Sequence, residues 1–343
     1  MSSPSEQTIL VTGANGFIGG HVLQQALAKG YNVVAAVRTA KSASKFRPIF
    51  SSQESSGQLT WAYVPDITVV PDYASAFSAA EKPITGILHL ASPFSLSVED
   101  NKRDLLEPAV HGSLAILQAA NKYATPALKR VVITSSFASN LDTTKGSRPG
   151  YTYTDADWNP QGWETADMDS SSAYCASKAL AEKAAWDFIE EEKPGFDLVS
   201  INPPWVFGPH VDGVEDLAKL NQSSAALSQL LDAKAIPPVD FGGFVDARDI
   251  AAAHILALEK PEAGGNRFIV GSHFDYQSAA DALRKEVPEL RERIPEGTPG
   301  KLPEVYGMDG SRAERVLGIK YRTLGETMRD AFAEYVKVKP VAA

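Results

Sequence analysis

The chain has 343 residues and 44% apolar content, enough to bury a large core in one domain or two lobes. Its 33 basic and 42 acidic side chains give a formal net charge of -9, a balance that argues against a nucleic-acid binder. The single cysteine, Cys175, excludes an intrachain disulfide framework and fits a reducing, cytoplasmic setting. No apolar run approaches the ~18 residues of a membrane span, and the polar stretch Met1 to Gln7 does not read as a signal peptide. The six histidines lack metal-type spacing, so no metal site is expected.

Short apolar runs alternate with helix-like stretches up to Asn202. Strands are expected at Thr8–Val11, Asn32–Val37, Leu59–Val64, Gly86–Leu90, Arg130–Ser135 and Asp197–Ile201. They are rich in Val, Ile and Leu, as strands buried on both faces should be. Helices are expected at 17–29, 72–80, 104–122 and 170–192, and Lys41–Gly57 reads as a Ser-rich loop around a short helix. This order predicts an α/β fold with a doubly wound parallel Rossmann sheet. Pro203-Pro204 changes the character of the chain. Beyond it a helix is expected over Asp246–Leu258, a strand over Asn266–Val270 and helices near 278–286 and 324–336. We expect residues 1–202 to form a nucleotide-binding domain, joined by returning segments near 240–270. Residues 203–343 would mainly form a smaller, discontinuous substrate lobe over the sheet's carboxyl edge, where ligands of such folds lie.

The first strand runs directly into Thr12-Gly13-Ala14-Asn15-Gly16-Phe17-Ile18-Gly19. Gly13 permits a tight turn, Gly16 lets backbone approach a pyrophosphate and Gly19 allows close helix packing. The N–H groups of the following helix favour an anion. The spacing is G-x-x-G-x-x-G, one residue longer in its first step than the usual dinucleotide fingerprint. The second strand ends at Arg38, where an NAD site would usually place Asp or Glu. Arg38 can grip a 2′-phosphate bidentately, and Lys41 or Lys45 could add charge, so NADPH is expected over NADH. Asp66 could accept from an adenine amino group with Ile67 beside the ring, or merely cap its own loop.

The fifth strand ends in Thr134-Ser135-Ser136, at the same edge as the glycine loop. Tyr174 and Lys178 then sit four residues apart on one expected helix face. A free tyrosine loses its proton at about pH 10, and a neighbouring ammonium should lower that value. The pair could therefore protonate the oxygen of a carbonyl under reduction, with Ser136 orienting that oxygen. Asp169, Ser170 and Ser171 are candidate caps for this helix. A second Tyr/Lys pair, Tyr335 and Lys339, lacks this context and reads as coincidence. His111 and His254 read as structural, and Cys175 points off the Tyr/Lys face.

These motifs, with Asp66-Ile67, His89-Leu90-Ala91-Ser92-Pro93-Phe94, Asn202-Pro203, Gly208-Pro209 and Phe244-Val245-Asp246 ahead of Asp249, Ala253 and His254, resemble an extended short-chain dehydrogenase/reductase. The nearest branch is the dihydroflavonol reductase-like group, with the fungal and yeast aldehyde, ketone and methylglyoxal reductases. The resemblance spans residues 8 to 260. It implies Ser136, Tyr174 and Lys178 as catalytic residues. It implies a cofactor site of Thr12, Gly13, Asn15, Gly16, Phe17, Ile18, Gly19, Arg38, Lys45, Asp66, Ile67, Ala91, Ser92, Thr134, Pro203 and Val206, shared with Tyr174 and Lys178. Phe94, Ser136, Phe137 and Trp205 would border the substrate. Val110-His111-Gly112-Ser113 departs from the Asn-Val-x-Gly-Thr run of many extended members, so no catalytic Asn is assigned. Trp205 and Phe207 favour apolar or aryl carbonyls, or else pack in the core.

The expected activity is NADPH-dependent reduction of aldehydes or ketones to alcohols, by a monomer or homodimer acting on a small molecule, with no nucleic acid or membrane partner. The alternatives are a 3β-hydroxysteroid-type dehydrogenase or sugar-nucleotide epimerase, against which Arg38 speaks, and an NADP(H)-sensing regulator, which typically lacks the Tyr/Lys pair. Substrate, product stereochemistry and reaction direction are not fixed by these residues.

Overall fold

The computed structural model describes residues 3–92, 98–167 and 169–339. Strand β1 (Thr8–Thr12) leads through the glycine loop into α1 (Phe17–Ala28). Then come β2 (Asn32–Val37), α2 (Ser51–Ser55), β3 (Leu59–Tyr63), α3 (Ala74–Ser78), β4 (Ile84–His89), α4 (Glu107–Tyr123), β5 (Arg130–Thr134), β6 (Thr152–Tyr153), α5 (Ser170–Glu192) and β7 (Asp197–Asn202). The remainder carries β8 (Trp205–Phe207), α6 (Gln222–Ser228), β9 (Gly243–Asp246), α7 (Ala247–Glu259), β10 (Asn266–Ile269), β11 (Ser272–His273), α8 (Tyr276–Glu286), β12 (Gly307–Met308), α9 (Ser311–Leu317) and α10 (Leu324–Val338).

Seven strands form one parallel sheet in the order β10-β7-β5-β4-β1-β2-β3. Successive side chains of β1 leave on opposite faces. Ile9 and Val11 join the core made with α1 and α7, whereas Leu10 joins the core made with α4 and α5. The chain reverses direction across the sheet between β1 and β4, and that switch point opens a crevice at their carboxyl ends. A third core, including Phe207, Phe244, Phe274, Phe332 and Tyr335, packs the small sheet β11-β9-β8 against helices of the later chain. Tyr335 is therefore a core residue, and its partner Lys339 lies 2.8 Å from Asp232. This pair takes no part in the crevice.

Helix α5 is tied to the sheet by a buried charge. Glu182 receives hydrogen bonds from Ser135 Oγ (2.7 Å), Ser139 Oγ (2.5 Å), Asn202 Nδ2 (2.9 Å) and Arg267 Nε (2.7 Å). Arg267 also donates to the carbonyls of Asp155 and Asp157 and lies 3.5 Å from the Trp158 ring centroid. Burial pushes the Glu182 carboxyl up, but the Arg267 guanidinium and the hydroxyls of Ser139 and Ser135 reverse this and hold it below the usual carboxylate range. Removing the guanidinium strands a buried anion. Arg267→Met should therefore lower unfolding stability by about 3–5 kcal/mol, read by chemical denaturation; a loss below about 1 kcal/mol would show that the network is not needed.

Candidate active site

The crevice begins at the glycine loop. Gly13 has φ +65, and a Cβ there would stand 2.8 Å from the Ala91 backbone nitrogen. A Cβ on Gly19 would run into the Gly13 carbonyl, so these two glycines let α1 close onto its own loop. The α1 N-cap is Gly16 and supplies no side-chain cap, which leaves the first-turn N–H groups suited to an anion. Two clefts, of about 810 and 800 Å³, meet at Gly13, Gly16 and Leu90.

The first cleft is lined by Thr12, Gly13, Asn15, Arg38, Asp66, Ile67, Ala91 and Ser92, among others. Arg38 is exposed at the end of β2. Asp66 faces the same cleft, and its Oδ1 accepts from Thr68 N (2.8 Å) and Thr68 Oγ1 (2.7 Å). Those bonds, with Arg38 nearby, hold its carboxyl below the ordinary range. Asp66 caps its loop through these bonds and also borders the cleft. Lys45 does not line this cleft; it pairs with Glu215 at 2.8 Å across solvent. Three residues missed from the sequence, Ser42, Arg103 and His111, do line it. His111 is exposed on α4 rather than structural. The α4 register behind Pro108 brings it round, at the Val110–Ser113 run that departs from the family pattern.

The second cleft gathers Phe17, Ile18, Gly19, Ser136, Tyr174, Trp205 and Val206. Pro203 and Phe137 were expected here and lie behind the wall. Phe137 N donates to the Pro203 carbonyl at 2.8 Å, and the Phe137 ring is fully buried against Tyr153, Phe241 and Tyr306. Their neighbours Pro204 and Ser136 face the cleft instead. Trp205 lines the cleft while Phe207 is core, so the two aromatics divide the expected roles. Polar residues Asn221, Gln222, Ser223, Gln229 and Asp240 also border it. They come from the short helix α6, its two ends and the loop before β9, with no motif to mark them. Phe94 lies outside the described residues.

Hydrogen bonds lock the strand ends. Thr12 Oγ1 accepts from Ala91 N (3.2 Å) and lies 2.8 Å from His89 Nδ1. Thr134 Oγ1 lies 2.7 Å from His254 Nε2, while His254 Nδ1 donates to the Ile250 carbonyl. Burial lowers His254 to about 4, so it is neutral and accepts the Thr134 hydroxyl. That hydroxyl is thus turned to α7 rather than offered to a cofactor.

Asp169 caps α5 by accepting from the N–H groups of Ser171 and Ser172, both at 3.0 Å. One turn inside, Tyr174 lines the same cleft as Ser136. Lys178 Nζ stands 5.7 Å from the Tyr174 ring centroid and donates to Ser92 Oγ at 2.8 Å. The expected lowering of the phenol pKa is reversed: burial pushes Tyr174 up to about 12, against the opposing Ser136 hydroxyl. Burial likewise brings Lys178 down to about 8. Desolvation disfavours both charges and outweighs their mutual attraction in this arrangement. Cys175 also borders the cleft, but burial raises its thiol to about 12, which leaves it a poor nucleophile. No His/Cys/Asp/Glu group among the described residues could hold a metal, and no described helix is long and apolar enough to cross a membrane.

A strand, glycine loop and helix at a switch point, with Ser136, Tyr174 and Lys178 beside them, define a dinucleotide-binding short-chain dehydrogenase/reductase site. The chain belongs to the NAD dependent epimerase/dehydratase family, matched over residues 9–271, which comprises the extended members of that class. It is 36% identical over 342 residues to the NADPH-dependent methylglyoxal reductase GRE2 of Saccharomyces cerevisiae, covering 96% of this chain and 98% of the relative. It is 40% identical over 336 residues to the ketoreductase azaE of Aspergillus niger, covering 94% and 96%. The crystal structure of yeast methylglyoxal/isovaleraldehyde reductase Gre2 complexed with NADPH matches with a TM-score of 0.89 at 36% identity, over 97% of this chain and 99% of that one.

In the cofactor-free protein the Lys178 ammonium should titrate near pH 8 rather than above 10. Reductive ¹³C-methylation followed by NMR would read this, with Lys178→Gln assigning the resonance; a midpoint above 10 would refute the desolvated environment.

Proposed function

We propose that this chain is an NADPH-dependent carbonyl reductase that converts aldehydes or ketones to alcohols. The carrying observation is that Ser136 and Tyr174 line a cleft that continues into the Arg38-lined cleft at the glycine loop, with Lys178 one turn from Tyr174 and bonded to Ser92 of the latter cleft. The relatives named methylglyoxal reductase and ketoreductase agree with this reading. The clefts fit a dinucleotide: α1 opens without a capping side chain, Gly13 clears the backbone approach, and Arg38 stands where a 2′-phosphate would be read. The cofactor, when bound, supplies the hydride that reaches the carbonyl carbon.

The protein's own residues handle the oxygen. Ser136 Oγ is positioned to donate to the substrate oxygen and hold it beside the Tyr174 hydroxyl. A phenol kept protonated by burial is in the form needed to give its proton to that oxygen as negative charge develops. The phenolate left behind is stabilised by the Lys178 ammonium, whose own lowered pKa makes it a ready proton source for restoring the phenol. Residues 203–343 supply the substrate wall through Pro204, Trp205, the α6 region and Phe241.

Tyr174→Phe should reduce turnover by at least about 100-fold while leaving NADPH binding intact, measured by NADPH oxidation and by cofactor fluorescence; near-normal turnover would remove Tyr174 as the proton donor. Arg38→Ala should weaken NADPH by about tenfold and leave NADH unchanged. Equal preference for the two cofactors in the wild type would remove Arg38 as the discriminator.

A further inference from the structure

The crevice is divided by charge. Its first half carries Arg38, Arg103 and His111 alongside Asp66 and Glu107. The second half, which holds Ser136 and Tyr174, has no Lys, Arg or His among its described lining residues and has one carboxylate, Asp240. Lys178 does not line this half and is engaged at Ser92.

Asp240 is held without a cation. Its Oδ1 accepts from the Trp205 indole N–H (3.1 Å) and from Phe241 N (2.6 Å), and its Oδ2 accepts from the Tyr276 hydroxyl (3.1 Å). Its side chain remains exposed at the cleft wall. Two helix N-termini that favour anions also border this half: that of α1, at the junction of the clefts where the cofactor's phosphates are read, and that of α5, where Ser170 and Ser171 reach the cleft. Asp169 already occupies that end, taking the N–H groups of Ser171 and Ser172 and the Ser172 hydroxyl (2.8 Å). The remaining polar groups, Asn221, Gln222, Ser223 and Gln229, are neutral.

We propose that Asp240 makes this half of the cleft select uncharged and cationic carbonyl compounds and turn away anionic ones. The inference rests on the reductase reading and specifies its substrate class. An aryl or alkyl body meets Trp205, Val206 and Phe241, and an ammonium or hydroxyl remote from the carbonyl finds Asp240 as its acceptor. A carboxylate, or the phosphates of a nucleotide-linked substrate, meets Asp240 with no described cation to neutralise it. Near a protein surface the effective dielectric is below that of bulk water, so that repulsion is stronger than in bulk solvent.

The test compares three acetophenones of one shape, with para methyl, aminomethyl or carboxylate groups, at neutral pH. Dissociation constants are measured on protein saturated with NADP⁺, and kcat/KM with NADPH. In the wild type the ammonium ketone should bind at least about tenfold more tightly than the carboxylate and show at least about tenfold higher kcat/KM, with the methyl ketone between them. Asp240→Asn keeps an acceptor for Trp205 and should bring the two charged ketones within about threefold of each other. Asp240→Glu keeps the charge and should keep the order. A carboxylate ketone handled as well as the ammonium ketone by the wild type would overturn the inference, as would a preference that survives in Asp240→Asn with NADPH binding intact. If the binding order holds but no ketone consumes NADPH, the reductase reading fails while the charge selection stands.

Discussion

The buried Glu182 carboxylate ties the helix carrying Tyr174 and Lys178 to the strands that end beneath the crevice. It sits one turn beyond Lys178 on α5 and receives Ser135, the neighbour of Ser136, together with Ser139, Asn202 and Arg267. One anion thereby joins α5, the end of β5, β7 and β10. The hydroxyl of Ser136 and the phenol of Tyr174 come from segments far apart in sequence, so their meeting in one cleft depends on that joint. A neutral core could pack the same volume with less desolvation. What a charge network adds is direction, because each hydroxyl and amide must point at the carboxylate to satisfy it.

Much of this was legible because parallel strands buried on both faces leave long Val/Ile/Leu runs, and because the glycine loop joins one such run to a helix. The doubly wound parallel sheet and the meeting of the β2 and β5 ends with the glycine loop at one edge follow from that pattern. What escaped reading has physical reasons. Helix α6 (Gln222–Ser228) is too short and too rich in Ser and Ala to show periodicity, and the three-stranded sheet is made of runs of two to four residues. Lys45 satisfies a motif position, yet its ammonium is drawn to Glu215. Pro203 and Phe137 sit one residue from cleft-lining neighbours, and a one-residue offset decides which face a side chain takes.

The sign of the Tyr174 shift was not legible for a related reason. Spacing says that an ammonium lies one turn away, but it does not say how much water remains around either group. Here burial acts on both, raising the phenol and lowering the amine, while the Lys178 proton is offered to Ser92. Near neutral pH the pair rests as an uncharged phenol beside an ammonium rather than as a phenolate–ammonium ion pair. A phenol in this state is a weak acid on its own, and its strength is expressed only when charge develops on an oxygen within reach.

The same desolvation links the proton chemistry to the choice of substrate. A cleft that penalises a phenolate at Tyr174 also penalises any other unpaired anion placed beside it. An indole, a phenol and a backbone N–H serve Asp240 there, and no cation does among the described residues. Its field therefore extends into the cleft instead of being cancelled locally. A substrate anion would add to that field at the point where the reaction itself must build negative charge on oxygen, and would raise the cost of the step that Ser136 and Tyr174 are placed to ease. A neutral or cationic substrate avoids this conflict. Selecting against anions and protonating the developing alkoxide are, in this cleft, two consequences of one electrostatic arrangement.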